Sequence, residues 1–230
     1  MRIIFENASL SFGSPSSRQV ALHPLSLELA ENRVGVIGLN GSGKTSFARL
    51  INGLARPSGG RVTLDGLDTV EDEAAVRAAT GFIFQNPGHQ IILPIIRDDI
   101  ALGLKSRGLT GQAVQERVDA ILGRFALEGL ADRRPHELSG GQLQLAALAA
   151  VMVTEPKLLI FDEPTNQLDL RNRALVKRTL ASLQEQAIVI SHDLELLADF
   201  PRVLLFHEGR LAFDGSAADA IARYHEIAEC

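Results

Sequence analysis

Gly38-Leu39-Asn40-Gly41-Ser42-Gly43-Lys44-Thr45 is the stretch on which the fold turns. It fits the spacing G-x-x-x-x-G-K-[ST] in full. It lies between a short apolar run, 34–37, and a helical pattern that begins at Gly43 and reads KTSFARLINGL. Glycines at these positions let backbone N–H groups curl around phosphate oxygens with no Cβ in the way, and a helix N-terminus directly behind the loop adds positive potential. Asn40, Gly41, Ser42, Gly43, Lys44, Thr45 and Ser46 are therefore expected to line a phosphate site. Lys44 would reach the β- and γ-phosphates, and the Thr45 hydroxyl would hold Mg²⁺. The plainer alternative is a glycine-rich turn that caps a helix. The strand before the loop and the helix after it are the context the phosphate reading requires.

Outward from the loop, residues 2–6 and 25–29 read as strands of a small antiparallel layer, joined through SFGSPSSRQ, with further strand patterns at 61–64 and 81–84. From about 98 to 153 helical periodicity takes over (VQERVDAILGRFALEGL, then LQLAALAAVMVT), which predicts a helical subdomain. Apolar runs at 157–161, 187–190 and 203–206 return as buried strands, with a helix around 171–185 between the first two. A hairpin strand and a closing helix occupy 210–230. Strands alternating with helical crossovers predict an α/β fold: a parallel sheet covered on both faces, as in P-loop NTPases of the RecA-like kind. To it are added the antiparallel layer and the inserted helices, all in one domain, 1–230. No internal repeat or low-complexity segment is visible.

The strand at 157–161 runs into Asp162-Glu163-Pro164. Ligands of open α/β sheets bind at the carboxyl ends of the strands, so a carboxylate there is well placed. Asp162 suits Mg²⁺, which prefers oxygen ligands and keeps several waters. Glu163, one residue on, can face a γ-phosphate and polarise an attacking water. Solvated acids at a helix N-cap are the alternative, since Asp, Glu and Pro all favour such positions. The phosphate loop tips the balance toward a nucleotide site.

Leu138-Ser139-Gly140-Gly141-Gln142 reads LSGGQ, and a long apolar helical pattern follows it. On physical grounds Ser-Gly-Gly ahead of a helix is a second anion-binding N-terminus or an ordinary N-cap. Here the sequence resembles the ABC ATPase family, whose signature this pentapeptide is. The family's other elements follow in order: Gln85 in GFIFQNP as the Q-loop, Leu168-Asp169 as the D-loop, and His192 in IVISHD as the switch histidine. The resemblance spans nearly the whole chain. It implies two chains packed head to tail, with ATP between one phosphate loop and the opposite signature. Ser139, Gly140, Gly141, Gln142 and Asp169 would act on the partner's nucleotide. Glu163 would be the catalytic base, His192 would contact the γ-phosphate, and Gln85 would sense Mg²⁺ and the attacking water. Two positions depart from the pattern. The adenine-stacking ring is usually an aromatic after the first strand, and Phe12 in LSFGSPSS is the aromatic available here, either stacking on the base or buried as core. Leu145 stands where many relatives carry Arg.

The stretch QNPGHQIILPIIRDDIALG, 85–103, resembles the ATPases of energy-coupling-factor importers of vitamins and transition-metal ions. The match rests on Gln90, Pro94, Asp98, Asp99 and Gly103, with Arg97 where an acid is commoner. Such importers couple through arginines of a membrane scaffold. Asp98 and Asp99 are expected either to receive those arginines or to be ordinary acids at a helix start. The chain ends soon after its closing helix, which resembles the ATPase of biotin importers and implies a homodimer. The implied partners are a second ATPase chain, an integral membrane scaffold and a substrate-binding membrane protein, with the ATPase on the cytoplasmic face of the membrane. Biotin is favoured over another vitamin or cobalt/nickel.

Composition agrees with this reading. With 23 Lys+Arg against 28 Asp+Glu the net charge is −5, which argues against nucleic acid and anionic lipid as partners. The single cysteine, Cys230, allows no disulfide within the chain, and the cytosol is its natural compartment. The first ten residues, MRIIFENASL, lack a signal-peptide pattern, and the longest apolar run, 145–153, is too short to cross a bilayer. ABC ATPases of DNA repair or chromosome organisation need a long coiled-coil insertion, and translation-factor types carry two such domains. This chain has neither sustained heptads nor a second set of motifs.

Overall fold

Val34, Val36 and Ile37, with only glycine between and after them, build the strand that delivers the phosphate loop. In the computed structural model, β3 (Arg33–Gly38) is buried from Val34 to Gly38, as expected of a parallel strand covered on both faces. The structure describes residues 1–14, 17, 19–166 and 168–229. Cys230 and part of the SFGSPSSRQ loop lie outside the described residues, as does Gln167.

In chain order the elements are β1 (Ile3–Phe12), β2 (Gln19–Leu29), β3, α1 (Lys44–Ile51), β4 (Gly59–Leu64), β5 (Leu67–Asp68), α2 (Glu73–Ala79) and β6 (Thr80–Ile83). Then follow α3 (Ile96–Lys105), α4 (Gln112–Arg124), α5 (Gly140–Met152), β7 (Leu158–Asp162) and α6 (Leu170–Ser182). The chain closes with β8 (Gln186–Ile190), α7 (Leu194–Leu197), β9 (Arg202–His207), β10 (Arg210–Gly215) and α8 (Ala217–Ala228). Two units emerge. The first holds Met1–Thr80, Lys157–Glu163 and Glu185–Cys230; the second holds Gly81–Pro156 and Pro164–Gln184.

In the first unit β3 lies between β8 and β9, parallel to both, and β7 extends the sheet beyond β8. β10 returns antiparallel on β9. An antiparallel layer in the order β2-β1-β4-β5 completes the unit. β1 and β2 run longer than the sequence suggests because each contains irregular register. At Asn7 the backbone turns to φ 49°, and a Cβ on the facing Gly60 would stand 2.2 Å from the Asn7 carbonyl oxygen. The ladder there slips between Glu6 and Ser9, which breaks the alternation that marks a strand. Phe47 of α1 is fully buried and joins the two layers, stacking on Phe5 at 4.9 Å and meeting Phe206 at 5.0 Å. Arg202 fastens the far end. Its guanidinium donates twice to Asp214, and once each to Glu31 and the Glu28 carbonyl.

The second unit is built around α5, which is apolar nearly all round and buried from Gln144 to Ala149. Helices with no polar face sit inside. α3, α4 and α6 pack on it. Leu145 is buried here as an ordinary core residue. Gly103 of α3 has a structural reason to be glycine: a Cβ there would meet Thr154 Cγ2 at 2.9 Å. Among the described residues no helix is long and apolar enough to cross a membrane.

Candidate functional site

The phosphate loop is held from outside by backbone. Gly38 has φ 148°, and a Cβ there would meet the Phe206 carbonyl oxygen at 2.2 Å. Gly43 has φ 101°, and its Cβ would meet the Ala21 carbonyl oxygen at 2.7 Å. Gly209, in the β9–β10 turn, donates its N–H to the Ser42 carbonyl at 3.0 Å. β2 and that turn therefore grip the loop, a role the local sequence does not advertise. No side chain caps α1, whose N-cap is Gly43 in the left-handed conformation. The first N–H groups of a helix have no partner within it, so here they stay free for an anion.

Lys44 Nζ donates to the Gly38 and Leu39 carbonyls at 2.8 and 3.0 Å, which brings the ammonium across the loop. Burial holds it below the ordinary lysine range, opposed by the charges of Glu163 and Asp162. Thr45 Oγ1 donates to Asp162 Oδ1 at 3.2 Å. Burial pushes the Asp162 carboxyl above its usual range, against the pull of Thr45, Arg49 and Lys44. A hydroxyl and a buried carboxylate oxygen side by side are a donor set for a hard cation that retains water. Among the described residues no cluster of three or more His, Cys, Asp or Glu offers a different metal site.

Glu163 sits at the end of β7 in the left-handed conformation, φ 55°, and its N–H donates to the Ile190 carbonyl. Its carboxylate is held asymmetrically. Oε2 accepts the backbone N–H of His192 at 3.1 Å. Oε1 is buried and makes no hydrogen bond of good geometry among the described residues, although His192 Nε2 lies 3.1 Å away. That ring nitrogen is also 3.1 Å from Asn40 Oδ1, where the alignment is suitable, so Asn40 takes the hydrogen bond. One carboxylate oxygen is hydrogen-bonded to backbone, and the other faces the His192 ring. Asn40, Ser42, Lys44, Thr45, Asp162, Glu163 and His192 thus all belong to the first unit, as does Phe12. Phe12 is 50% exposed at the end of β1, so it is not a core residue.

The signature, Asp169 and Gln85 belong to the second unit. Ser139 caps α5 with a reciprocal pair: its Oγ accepts the Gln142 N–H at 3.3 Å, and Gln142 Oε1 accepts the Ser139 N–H at 2.9 Å. Asp169 caps α6 through the Asn172 N–H at 2.8 Å. The signature glycines face that helix start. A Cβ on Gly140 would meet Leu168 at 3.2 Å, and one on Gly141 would meet Asn172 Oδ1 at 2.2 Å. Asn172 is thus a neighbour of the signature that sequence reading missed, since the two are 31 positions apart. Gln85 is exposed.

One expectation needs correction. Asp99 is buried, and its Oδ1 accepts the N–H groups of Ile92 and Leu93 at 2.7 and 2.8 Å. It secures its own chain and is not presented to an arginine of another protein. Asp98 is exposed. Arg97, the departure from the acidic pattern, pairs with Asp119 of α4 at 2.5 Å.

Comparison with known proteins places the chain in a family. The family described as ABC transporter matches residues 22–166. The chain is 63% identical to the biotin transport ATP-binding protein BioM of Rhizobium etli, over 99% of this chain and all of that protein. It is 36% identical to the energy-coupling factor transporter ATP-binding protein EcfA1 of Halalkalibacterium halodurans, over 94% of this chain and 79% of the relative. Among solved structures, cbiO1 of Clostridium perfringens, part of the ABC transporter complex cbiONQ, superposes with a TM-score of 0.83 at 27% identity, covering 99% of this chain and 93% of that one. The chain therefore belongs to the ABC transporter family as one of its ATP-binding subunits, and it is an ATPase whose hydrolysis is coupled to transport.

Proposed function

We propose that this subunit powers an energy-coupling-factor-type importer of biotin, working as a homodimer on the cytoplasmic face of the membrane. Its partners would be an integral scaffold and a substrate-binding membrane protein. The observation that carries the transport half is similarity along the entire length of BioM. Asp98, exposed at the start of α3 and lining a groove of about 290 Å³ between α3 and α4, is the acid left to meet a basic segment of the scaffold.

The chemistry follows from the first unit's side chains. Lys44 and the uncapped N–H groups of α1 bind the phosphates, with Asn40, Gly41, Ser42, Gly43 and Ser46 shaping the loop. Phe12 offers a ring for adenine. Thr45 and Asp162 would hold Mg²⁺, and the ion would supply charge neutralisation on the phosphates. The His192 backbone N–H fixes one oxygen of Glu163, and that carboxylate would orient a water and accept its proton. Asn40 holds the His192 ring in place. Ser139, Gly140, Gly141, Gln142 and Asp169 of each chain complete the site of the other.

Glu163→Gln keeps the shape and the bond to His192 but removes the base. Hydrolysis should fall by about 10²- to 10⁴-fold with nucleotide binding retained, measured as phosphate release beside equilibrium binding. Wild-type turnover in this variant would remove Glu163 from the role. Uptake of labelled biotin by vesicles carrying the complete transporter tests the cargo.

A further inference from the structure

The QNP-to-AxG stretch contains one residue whose geometry the ATPase chemistry leaves unused. Gln90 Oε1 accepts the N–H of Phe84 at 3.2 Å, and Gln90 Nε2 donates to the carbonyl of Ala147 at 3.1 Å. Phe84 immediately precedes Gln85, and Ala147 lies in α5, the helix that Ser139 caps. We propose that Gln90 is a positioning residue that fastens the Gln85 loop to the signature helix, so that the two nucleotide-facing segments of the second unit move as one piece. The inference rests on the reading of Gln85 and Ser139 as nucleotide-facing.

The rest of the segment is built to make that fastening stiff. Between Phe84 and Gln90 the chain forms a single 3₁₀ turn, Pro87–His89, capped by Asn86 Oδ1 accepting from Gly88 N–H and closed by Gln90 N–H donating to Pro87. Just beyond Gln90, the N–H groups of Ile92 and Leu93 are tied to Asp99 of α3. α3 is itself packed on α5, and its Gly103 lies against Thr154, just past the end of α5. A segment of ten residues is thus anchored to α5 at one point and to α3 at another, with its own internal turn satisfied. Gln85 is thus one residue from a backbone N–H that is bonded through Gln90 to α5.

The chemistry of the fastening is specific to an amide of this length. It must accept from one backbone and donate to another. Glutamate lacks the donor, leucine lacks both functions, and asparagine is one methylene short. Glutamate regains a donor when its carboxyl is protonated, which separates loss of this hydrogen bond from general disruption.

The test uses the complete transporter with Gln90→Leu, Gln90→Glu and, as a reference, Gln85→Ala. For Gln90→Leu and Gln90→Glu we expect kcat for ATP hydrolysis and transport to fall by about tenfold, with KM for ATP within about twofold of wild type. Amide exchange should accelerate at Phe84 and, with it, through 139–144. Gln90→Glu should recover rate relative to wild type as pH falls toward the ordinary glutamate range, and Gln90→Leu should not. Wild-type kcat and unchanged exchange at Phe84 in Gln90→Leu, with Gln85→Ala impaired, would overturn the fastening role alone. Full turnover in Gln85→Ala would overturn the reading beneath it.

Discussion

The phosphate loop and the signature look alike in sequence: each is a glycine-rich stretch that opens a helix. In the structure they differ in how much of the helix N-terminus is already spent. α1 starts at Gly43 with no side-chain cap on its leading N–H groups among the described residues. α5 starts at Ser139 with a complete capping box, which occupies the N–H groups of Ser139 and Gln142 and leaves those of Gly140 and Gly141. The first is a full anion receptor with a lysine laid across it. The second is a partly closed one without a cation, suited to a phosphate that another loop already holds. In the proposed shared site between two chains, that asymmetry would let one half capture the nucleotide and the other recognise it once captured.

The comparison is broken most directly at Lys44. Lys44→Ala should weaken ATP binding by about 100-fold or more, because charge-assisted contacts to phosphate are lost, and titration of a fluorescent nucleotide would detect it. If affinity holds, the first loop is not the capturing half. Next in size is Gly141→Ala, which should leave single-chain nucleotide affinity intact but cut hydrolysis by about 100-fold. The new Cβ strikes Asn172 at 2.2 Å. Adding Asn172→Ala should restore the melting temperature but not the phosphate release. A double variant that recovers full turnover would make Gly141 a packing residue and remove the signature from the phosphates. The smallest effect sharpens the contrast: Ser139→Ala removes a cap worth about 1 kcal/mol, a melting shift of about 2–4 °C in scanning calorimetry for a domain of this size. The uncapped start of α1 offers no such side chain to delete.

Reading the sequence goes furthest where the chemistry is contiguous. Gly38 to Thr45, Asp162-Glu163 and the buried parallel strands are each specified by neighbours a few residues apart, and the structure has them as strands, loop and helix in that order. It reads less where the partner is distant. The reasons for Gly103, Asp99 and Gln90 lie at Thr154, at the backbone of 92–93 and at Ala147. A pattern that resembles a docking motif is in large part the internal bracing of one segment. Likewise α1 stops at Ile51, earlier than the helical pattern through Leu54, because Gly53 turns to φ 70° against the Thr69 carbonyl oxygen. The asymmetry at Glu163 was also hidden, since it depends on which of two carboxylate oxygens meets the His192 N–H.

Glu163 has a consequence for selection experiments. A residue with a Cβ in the left-handed conformation gives up roughly 1–2 kcal/mol that glycine would not, and asparagine tolerates the region better than glutamate. At φ 55° the wild-type residue is therefore a locally poor choice for the backbone, one the proposed role as base would require. A saturation library at this codon sorted by heat resistance should enrich glycine and asparagine. The same library sorted by ATP turnover should return glutamate, so the position marks where durability and work part company in this protein.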